Sequence, residues 1–309
     1  MNQTNIFLFG RFCLECGGQK LLNFENRKIQ ELFCYLLLYR TRPLGREKLA
    51  SLLWGDCSTT QSKRYLRQTL WQLQTGLDQH NPNNHTLLRT EPEWLQIDLT
   101  CHFWLDVAQF EEAYHQVQGI VGQKLTAEQA DTLRQAVRLY SGDLLENWYQ
   151  DWCIFERERL QNMYLIMLDK LMSYCEAHQA YDEGITYGGQ ILHCDYARER
   201  TYRRLMRIYY LSGDRTGALR QYEQCVAALE KELNIKPSAQ TTTLFESIRA
   251  DALAQPVYTP FPTSPLTDEP PPSVTDVIHH LHQLRQTLVT AQRQVEKDIE
   301  AIRSLESTS

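Results

Sequence analysis

The run Ser58-Thr-Thr-Gln-Ser-Lys-Arg-Tyr-Leu66-Arg-Gln-Thr-Leu70-Trp-Gln-Leu73-Gln-Thr-Gly-Leu77 sets four leucines at spacings of 4, 3 and 4 residues. At about 100° per residue they fall within roughly 60° of arc, a narrow buried stripe on a helix. Gln61, Arg64, Gln68, Trp71 and Thr75 project to the opposite side, with Lys63 and Arg67 beside them. A helix with a dry leucine stripe and a back of long polar side chains needs a scaffold on one side and is free to meet a partner on the other.

Upstream, Asn26 is placed to cap a helix reaching about Arg40, with Ile29, Leu32, Phe33, Leu36 and Leu37 on one face; Pro43 and Gly45 then break the chain. Arg46 to Trp54 reads as a short second helix closed by Gly55. Before these, Asn5 to Glu15, the Gly17-Gly18 turn and Lys20-Leu-Leu22 read as short antiparallel strands. Downstream, Leu87-Leu-Arg89-Thr90 and Trp94-Leu-Gln-Ile97 flank Glu91-Pro-Glu93, a β-hairpin. Strands, three helices and a hairpin in this order spell a winged helix-turn-helix over residues 1–100. This segment resembles the OmpR-type DNA-binding domain, including its extra N-terminal sheet.

The 309 residues exceed one small module, and 42% hydrophobic with 23% charged residues suits folded domains rather than a disordered chain. No apolar run approaches the roughly 20 residues of a membrane span and no charged leader precedes one, so a cytoplasmic protein without membrane partners is expected. Nine scattered cysteines fit free thiols; Cys13 and Cys16 form a lone Cys-x-x-Cys without the further ligands of a zinc site, so no metal is expected. The net charge of −6 is uneven: residues 1–100 carry 12 Lys/Arg against 9 Asp/Glu, and both later parts are acidic. A phosphate-binding surface belongs in the N-terminal part.

From residue 101 to 254 the pattern is helical. A shift of 34 positions superposes Leu171-Met172 on Leu205-Met206, Ile185 on Leu219 and Leu192 on Val226, the spacing of tetratricopeptide repeats, with Pro237 closing the second copy. Helices Val107–Val117 and Ala127–Tyr140 supply neighbours for stacking. Phe110, Leu139-Tyr-Ser-Gly-Asp-Leu-Leu145, Trp152, Glu156-Arg-Glu-Arg-Leu160, Arg203-Arg-Leu-Met-Arg207, Gly213-Asp-Arg-Thr-Gly-Ala-Leu-Arg220 and Glu232-Leu-Asn-Ile-Lys-Pro237 resemble the bacterial transcriptional activator domain. That domain follows an OmpR-type winged helix in the Streptomyces antibiotic regulatory protein family, which the chain resembles over residues 5–250. The expected fold is therefore mainly α: a winged helix-turn-helix with a small antiparallel sheet, then tetratricopeptide-like helices, then a C-terminal coiled-coil helix.

Residues 255–273 hold seven of the eleven prolines and read as a semi-rigid linker. Residues 274–306 carry an apolar 3-4 repeat, including Leu281, Leu284, Leu288, Val295 and Ile302, broken by Asp298. This is the pattern of a coiled coil that joins protomers; a helix folding back on the repeats shares it.

Neither a phosphate loop, a dinucleotide fingerprint, H-E-x-x-H nor G-x-S-x-G occurs, so neither enzyme activity nor a cofactor is expected. His193-Cys194-Asp195 reads as loop at the bend between repeats. On the third helix, Arg64 and Arg67 suit guanine, Gln61 and Gln68 suit adenine, Lys63 suits phosphate and Trp71 a thymine methyl or the backbone, with Arg89 acting from the wing. Any one of these side chains also makes ordinary solvated surface; their combination within this fold favours DNA. The acidic wing tip, Glu91 and Glu93, argues against minor-groove contact. The arginines at 198, 200, 203, 204 and 207 read as partners of neighbouring acids. The chain is thus expected to be a sequence-specific regulator of transcription, an activator, that binds double-stranded promoter DNA, contacts RNA polymerase or another protein through its repeats and self-associates through its C-terminus. The alternative is an interaction scaffold whose winged domain no longer binds DNA.

Overall fold

The computed structural model describes residues 4–17, 19–20, 26–78 and 87–252, and all of them fall in one compact unit. The expected linker and coil, with Leu281, Leu284, Leu288, Val295 and Ile302, lie outside the described residues.

The molecule is mainly helical. Its first sheet contains β1 (Thr4–Phe7), β2 (Cys13–Cys16), β3 (Gln19–Lys20) and β7 (Phe103–Leu105), in the order β3-β2-β1-β7. β1 and β2 run antiparallel with Ile6 opposite Leu14, whereas β7 lies parallel to β1 with Leu105 beside Ile6. A parallel neighbour must come from far along the chain, so the edge of this sheet is supplied by the segment that opens the helical repeats. The wing is a second sheet of β4 (Leu44–Gly45), β6 (Trp94–Ile97) and β5 (Leu88–Thr90). The Pro43–Gly45 break thus also pairs with the hairpin, Leu44 lying opposite Leu95.

Helix α1 (Arg27–Leu38) begins where Asn26 caps it, its side-chain oxygen accepting the Lys28 N–H at 2.9 Å. The five apolar residues of the expected face are buried, but so are Glu31, Cys34, Tyr35 and Leu38. The second face is covered by the start of α6 (Asp151–Ala177) and the residues just before it: Tyr35 meets Trp152 edge-on at 5.3 Å, the Arg27 guanidinium lies 3.8 Å over Trp148, and Gln150 donates to Glu31 at 2.8 Å. α1 is therefore shared between the winged domain and the repeats. Helices α2 (Arg46–Leu53) and α3 (Thr59–Asp78) complete the helix-turn-helix.

The remaining helices are α4 (Asp106–Gln116), α5 (Ala127–Leu139), α6, α7 (Tyr181–Cys194), α8 (Glu199–Leu211), α9 (Arg215–Leu233) and α10 (Ala239–Arg249). The 34-residue shift places α8 on α6 and α9 on α7, with Leu171, Met172, Leu205 and Met206 all buried. Gln179 and Gly213, also 34 apart, both adopt left-handed backbone at the bends, φ 59° and 88°. His193 and Cys194 form the last turn of α7 with Asp195 as its C-cap, so this trio is a helix end rather than loop, the helix continuing until its final hydrogen bond from Asp195 N–H to Ile191.

Two devices join the winged part to the repeats. The Asp106 carboxylate, 2% exposed, accepts the backbone N–H groups of Leu8 and Phe9 at 2.8 and 2.9 Å and that of Val107 at 2.7 Å. From the other side the loop after α5 bonds the same segment: Gly10 N–H to Asp143 carbonyl, Leu145 N–H to Leu8 carbonyl and Glu146 N–H to Gly10 carbonyl, at 2.7–2.9 Å. Arg157 gathers the carbonyls of Leu144, Leu145 and Trp148 at 3.0–3.1 Å and holds the loop in shape. A single apolar core consequently runs from Ile6 to Ile208.

Burial pushes the Asp106 carboxyl from 3.8 up to about 6, against the pull of its N–H donors. The folded state then binds this proton more tightly than the unfolded chain, so the contribution is greatest below about pH 4 and is lost as pH rises through about 6. Asp106→Ala, which orphans three buried donors, is expected to lower unfolding free energy by about 3 kcal/mol in urea titrations. Against Asp106→Asn, the wild type should gain on the order of 2 kcal/mol between pH 7 and pH 4.

Candidate nucleic-acid interface

The third helix starts at Ser58, whose hydroxyl accepts the Gln61 N–H at 3.4 Å and donates to the Gln61 amide oxygen at 3.2 Å. The first of these is an N-cap bond, and the second ties the two side chains together across the first turn. Leu66, Leu70 and Leu73 are at most 4% exposed and seat the helix on α1 and α2. The opposite face is open to solvent: Gln61, Lys63, Arg64, Arg67 and Gln68 are all exposed, and Trp71 is 65% exposed. Arg64, Gln68, Trp71 and Thr75 form one row, four, three and four residues apart.

The predicted contacts divide by their partners. Arg64, Arg67 and Gln68 make no hydrogen bond or ion pair among the described residues. Lys63 bonds Glu47 of α2 at 2.5 Å, and this contact holds the Glu47 carboxyl below its ordinary range. Gln61 engages its amide oxygen in the cap and keeps its NH2 outward. Arg89, assigned to the wing strand, is clamped by Asp98 through two bonds of 2.9 and 3.0 Å, which with Thr100 pull Asp98 down to about 2. A guanidinium committed in this way has less to give a phosphate.

Three contacts fix the wing beside the helix. Gln74 donates to the Thr90 hydroxyl at 2.9 Å, the Glu93 carbonyl accepts the first N–H of α2 at 2.9 Å, and Glu91 N–H closes the hairpin onto Trp94 at 3.0 Å. Glu91 and Glu93 are exposed at the tip. The arginines of α8 are paired as expected: Arg198 with Asp195, Arg200 and Arg204 with Asp169, Arg203 with Glu199, and Arg207 with Glu176, at 2.8–3.9 Å. No helix among the described residues is long and apolar enough to cross a membrane.

Residues 105–249 match the family described as the bacterial transcriptional activator domain. This part of the chain is such a domain. Its motifs are those that the sequence pointed to, and the chain resembles the Streptomyces antibiotic regulatory proteins in joining it to a winged helix-turn-helix. No curated protein matches the sequence. A solved structure of Mycobacterium tuberculosis EmbR in complex with a low-affinity phosphopeptide is similar in fold, with a TM-score of 0.60 at 18% identity over 81% of this chain. The chain spans 66% of that EmbR chain. The activator domain's Leu139–Leu145 motif is the loop that grips residues 8–10, and its Glu156-Arg157 pair serves the joint with the winged part: Arg157 holds that loop, and Glu156 bonds Arg159, which reaches Glu111, the partner of Arg40 at the end of α1.

Sequence reasoning missed Asp106 and the second face of α1. The only available signal for Asp106 was an acid directly after the β-rich triplet Phe103-Trp-Leu105, at a helix start. Trp71→Ala and Arg64→Ala are expected to leave the thermal midpoint of the full chain unchanged, within about 0.5 kcal/mol. Leu73→Ala on the buried side should cost about 2–5 kcal/mol; calorimetric melting of the three variants checks the assignment of faces.

Proposed function

We propose that the protein is a non-enzymatic, sequence-specific activator of transcription whose third helix enters the major groove of promoter DNA. The observation that carries this reading is the solvent-facing row Arg64, Gln68 and Trp71, two of its members polar and without partners among the described residues, on a helix otherwise locked in place. Arg64 supplies a bidentate donor for guanine O6 and N7, and Gln68 a donor-acceptor pair for adenine. Arg67 and the helix flank meet phosphates, while Lys63 exchanges Glu47 for a phosphate as the duplex approaches. The repeats then present a protein-binding surface to RNA polymerase or another partner, and residues 274–306 pair protomers so that two half-sites are bound together.

One observation favours the scaffold alternative: the wing offers two exposed carboxylates and an Arg89 already bound to Asp98. Titration of genomic fragments against the full chain over a salt series separates the two. An activator shows cognate binding whose log affinity falls with log salt at about −0.9 per phosphate contact. Arg64→Ala should then reduce discrimination between cognate and random duplex by about 10- to 100-fold. Binding that is equal for all fragments at low salt, or unchanged by Arg64→Ala, establishes the scaffold.

A further inference from the structure

A cleft of about 700 Å³ opens between α6, α7 and the loop that follows α5, a size usual for small-molecule sites. Tyr164 on its wall is only 8% exposed and stacks on Tyr140 at 4.3 Å, yet its hydroxyl has no hydrogen-bond partner among the described residues. The side-chain amides of Gln161 and Gln190, on the same walls, are equally without partners there.

The glycines of α7 sharpen the picture. A Cβ at Gly188 would strike Leu205 and one at Gly184 would press on Cys175 and Ile208, so packing accounts for both. Gly189 borders the cleft, and a Cβ there would meet nothing within 4 Å. Glycine inside a helix weakens it relative to alanine, and at 189 no neighbour within the protein calls for it. Its effect is to leave that exposed edge of the cleft open.

Neither lysine nor arginine lines the cleft among the described residues, and the Asp143 carboxylate already accepts the Tyr140 hydroxyl at 3.0 Å. Of the described lining side chains His193 is the one that can carry a positive charge, and the Asp143 carboxylate lies in the same wall, so an anionic ligand would shed water there without a permanent counter-charge. Amides and hydroxyls both donate and accept, which complements a ligand whose own groups do both, while the tyrosine pair offers an apolar surface. We propose that this cleft is a binding site for an uncharged, hydroxyl-rich small molecule of the sugar or nucleoside class. Asp143, in its wall, belongs to the loop that hydrogen-bonds residues 8–10, so an occupant touches the joint between the repeats and the winged domain. That regulatory consequence rests on the operator-binding reading; the binding itself does not.

The test uses the full chain without DNA. Thermal shift and calorimetry are run with a set of neutral mono- and disaccharides, a set of nucleosides, and the phosphorylated counterpart of each. A saturable rise in melting temperature is expected from members of one neutral set, with the phosphorylated forms at least about tenfold weaker, and the responding set distinguishes sugar from nucleoside. Gly189→Leu, for which there is room, should melt like the wild type when unliganded and lose the response. Gln161→Ala should melt normally and bind about tenfold more weakly. A response retained in Gly189→Leu, equal binding of the phosphorylated forms, or no response to either set overturns the proposal. Operator titration with and without the responding compound then measures the coupling, so failure of DNA binding and failure of the cleft are read separately.

Discussion

The Asp106 carboxylate is the constraint on which the arrangement depends. It sits at the last point of the N-terminal sheet and the first residue of α4, and its two oxygens take three backbone N–H groups that would otherwise be buried without partners. A buried charge is tolerated only when it is heavily hydrogen-bonded. Here two of the three bonds come from residues nearly 100 positions away, so the charge is fully satisfied only if β1 lies beside β7. Leu8 and Phe9 are in turn gripped by the loop after α5. The chain segment at residues 8–10 is thus held from both sides, and the two recognisable modules share one core.

That sharing has a mechanical consequence. α1 packs on α3 within the winged domain, on α6 through Tyr35, and on the residues just before α6 through Glu31 and Arg27. At its C-terminal end Arg40 bonds Glu111 of α4 at 2.5 Å, with both side chains at most 14% exposed, and Arg159 joins the same carboxylate at 2.6 Å. Removing one partner from such a buried network leaves an uncompensated charge, so hinge motion at this joint is costly. The solvent-facing side of α3 is therefore oriented by the repeats rather than tethered to them, and a partner bound to the repeats would be held at a defined place relative to that face.

Much of this was legible in the residues. The leucine spacing of α3, the Asn26 cap, the hairpin around Glu91-Pro92-Glu93 and the 34-residue period each reflect local geometry, and each element stands where its pattern put it. What was not legible depends on contacts distant in sequence. Periodicity in α1 marks the face turned to its own domain, but Cys34, Tyr35 and Leu38 read as ordinary helix residues until α6 covers them. Arg89 looked like a free cation because nothing local announces that Asp98 lies across the strand pair from it. Pro43 to Gly45 signals a break equally well whether or not Leu44 then pairs with Leu95. The trio at 193–195 sits near a bend, and the position of a helix end by one turn is set by hydrogen bonding that composition does not reveal.

The electrostatics narrow how such a face can work. Of the four cations among the predicted contacts, Lys63 and Arg89 already have carboxylate partners, leaving Arg64 and Arg67 without them among the described residues. The densest basic run, on α8, is neutralised by Asp195, Glu199, Asp169 and Glu176, so it adds little to a phosphate-binding surface. Few phosphate contacts per protomer mean a small counterion-release contribution and weak non-specific affinity. On the operator-binding reading, a larger share of binding must then come from base-edge contacts by Arg64 and Gln68 and from linking two half-sites. On that same reading the protein releases random DNA readily and depends on geometry, the defined seat of α3 on α1, to recognise its own site.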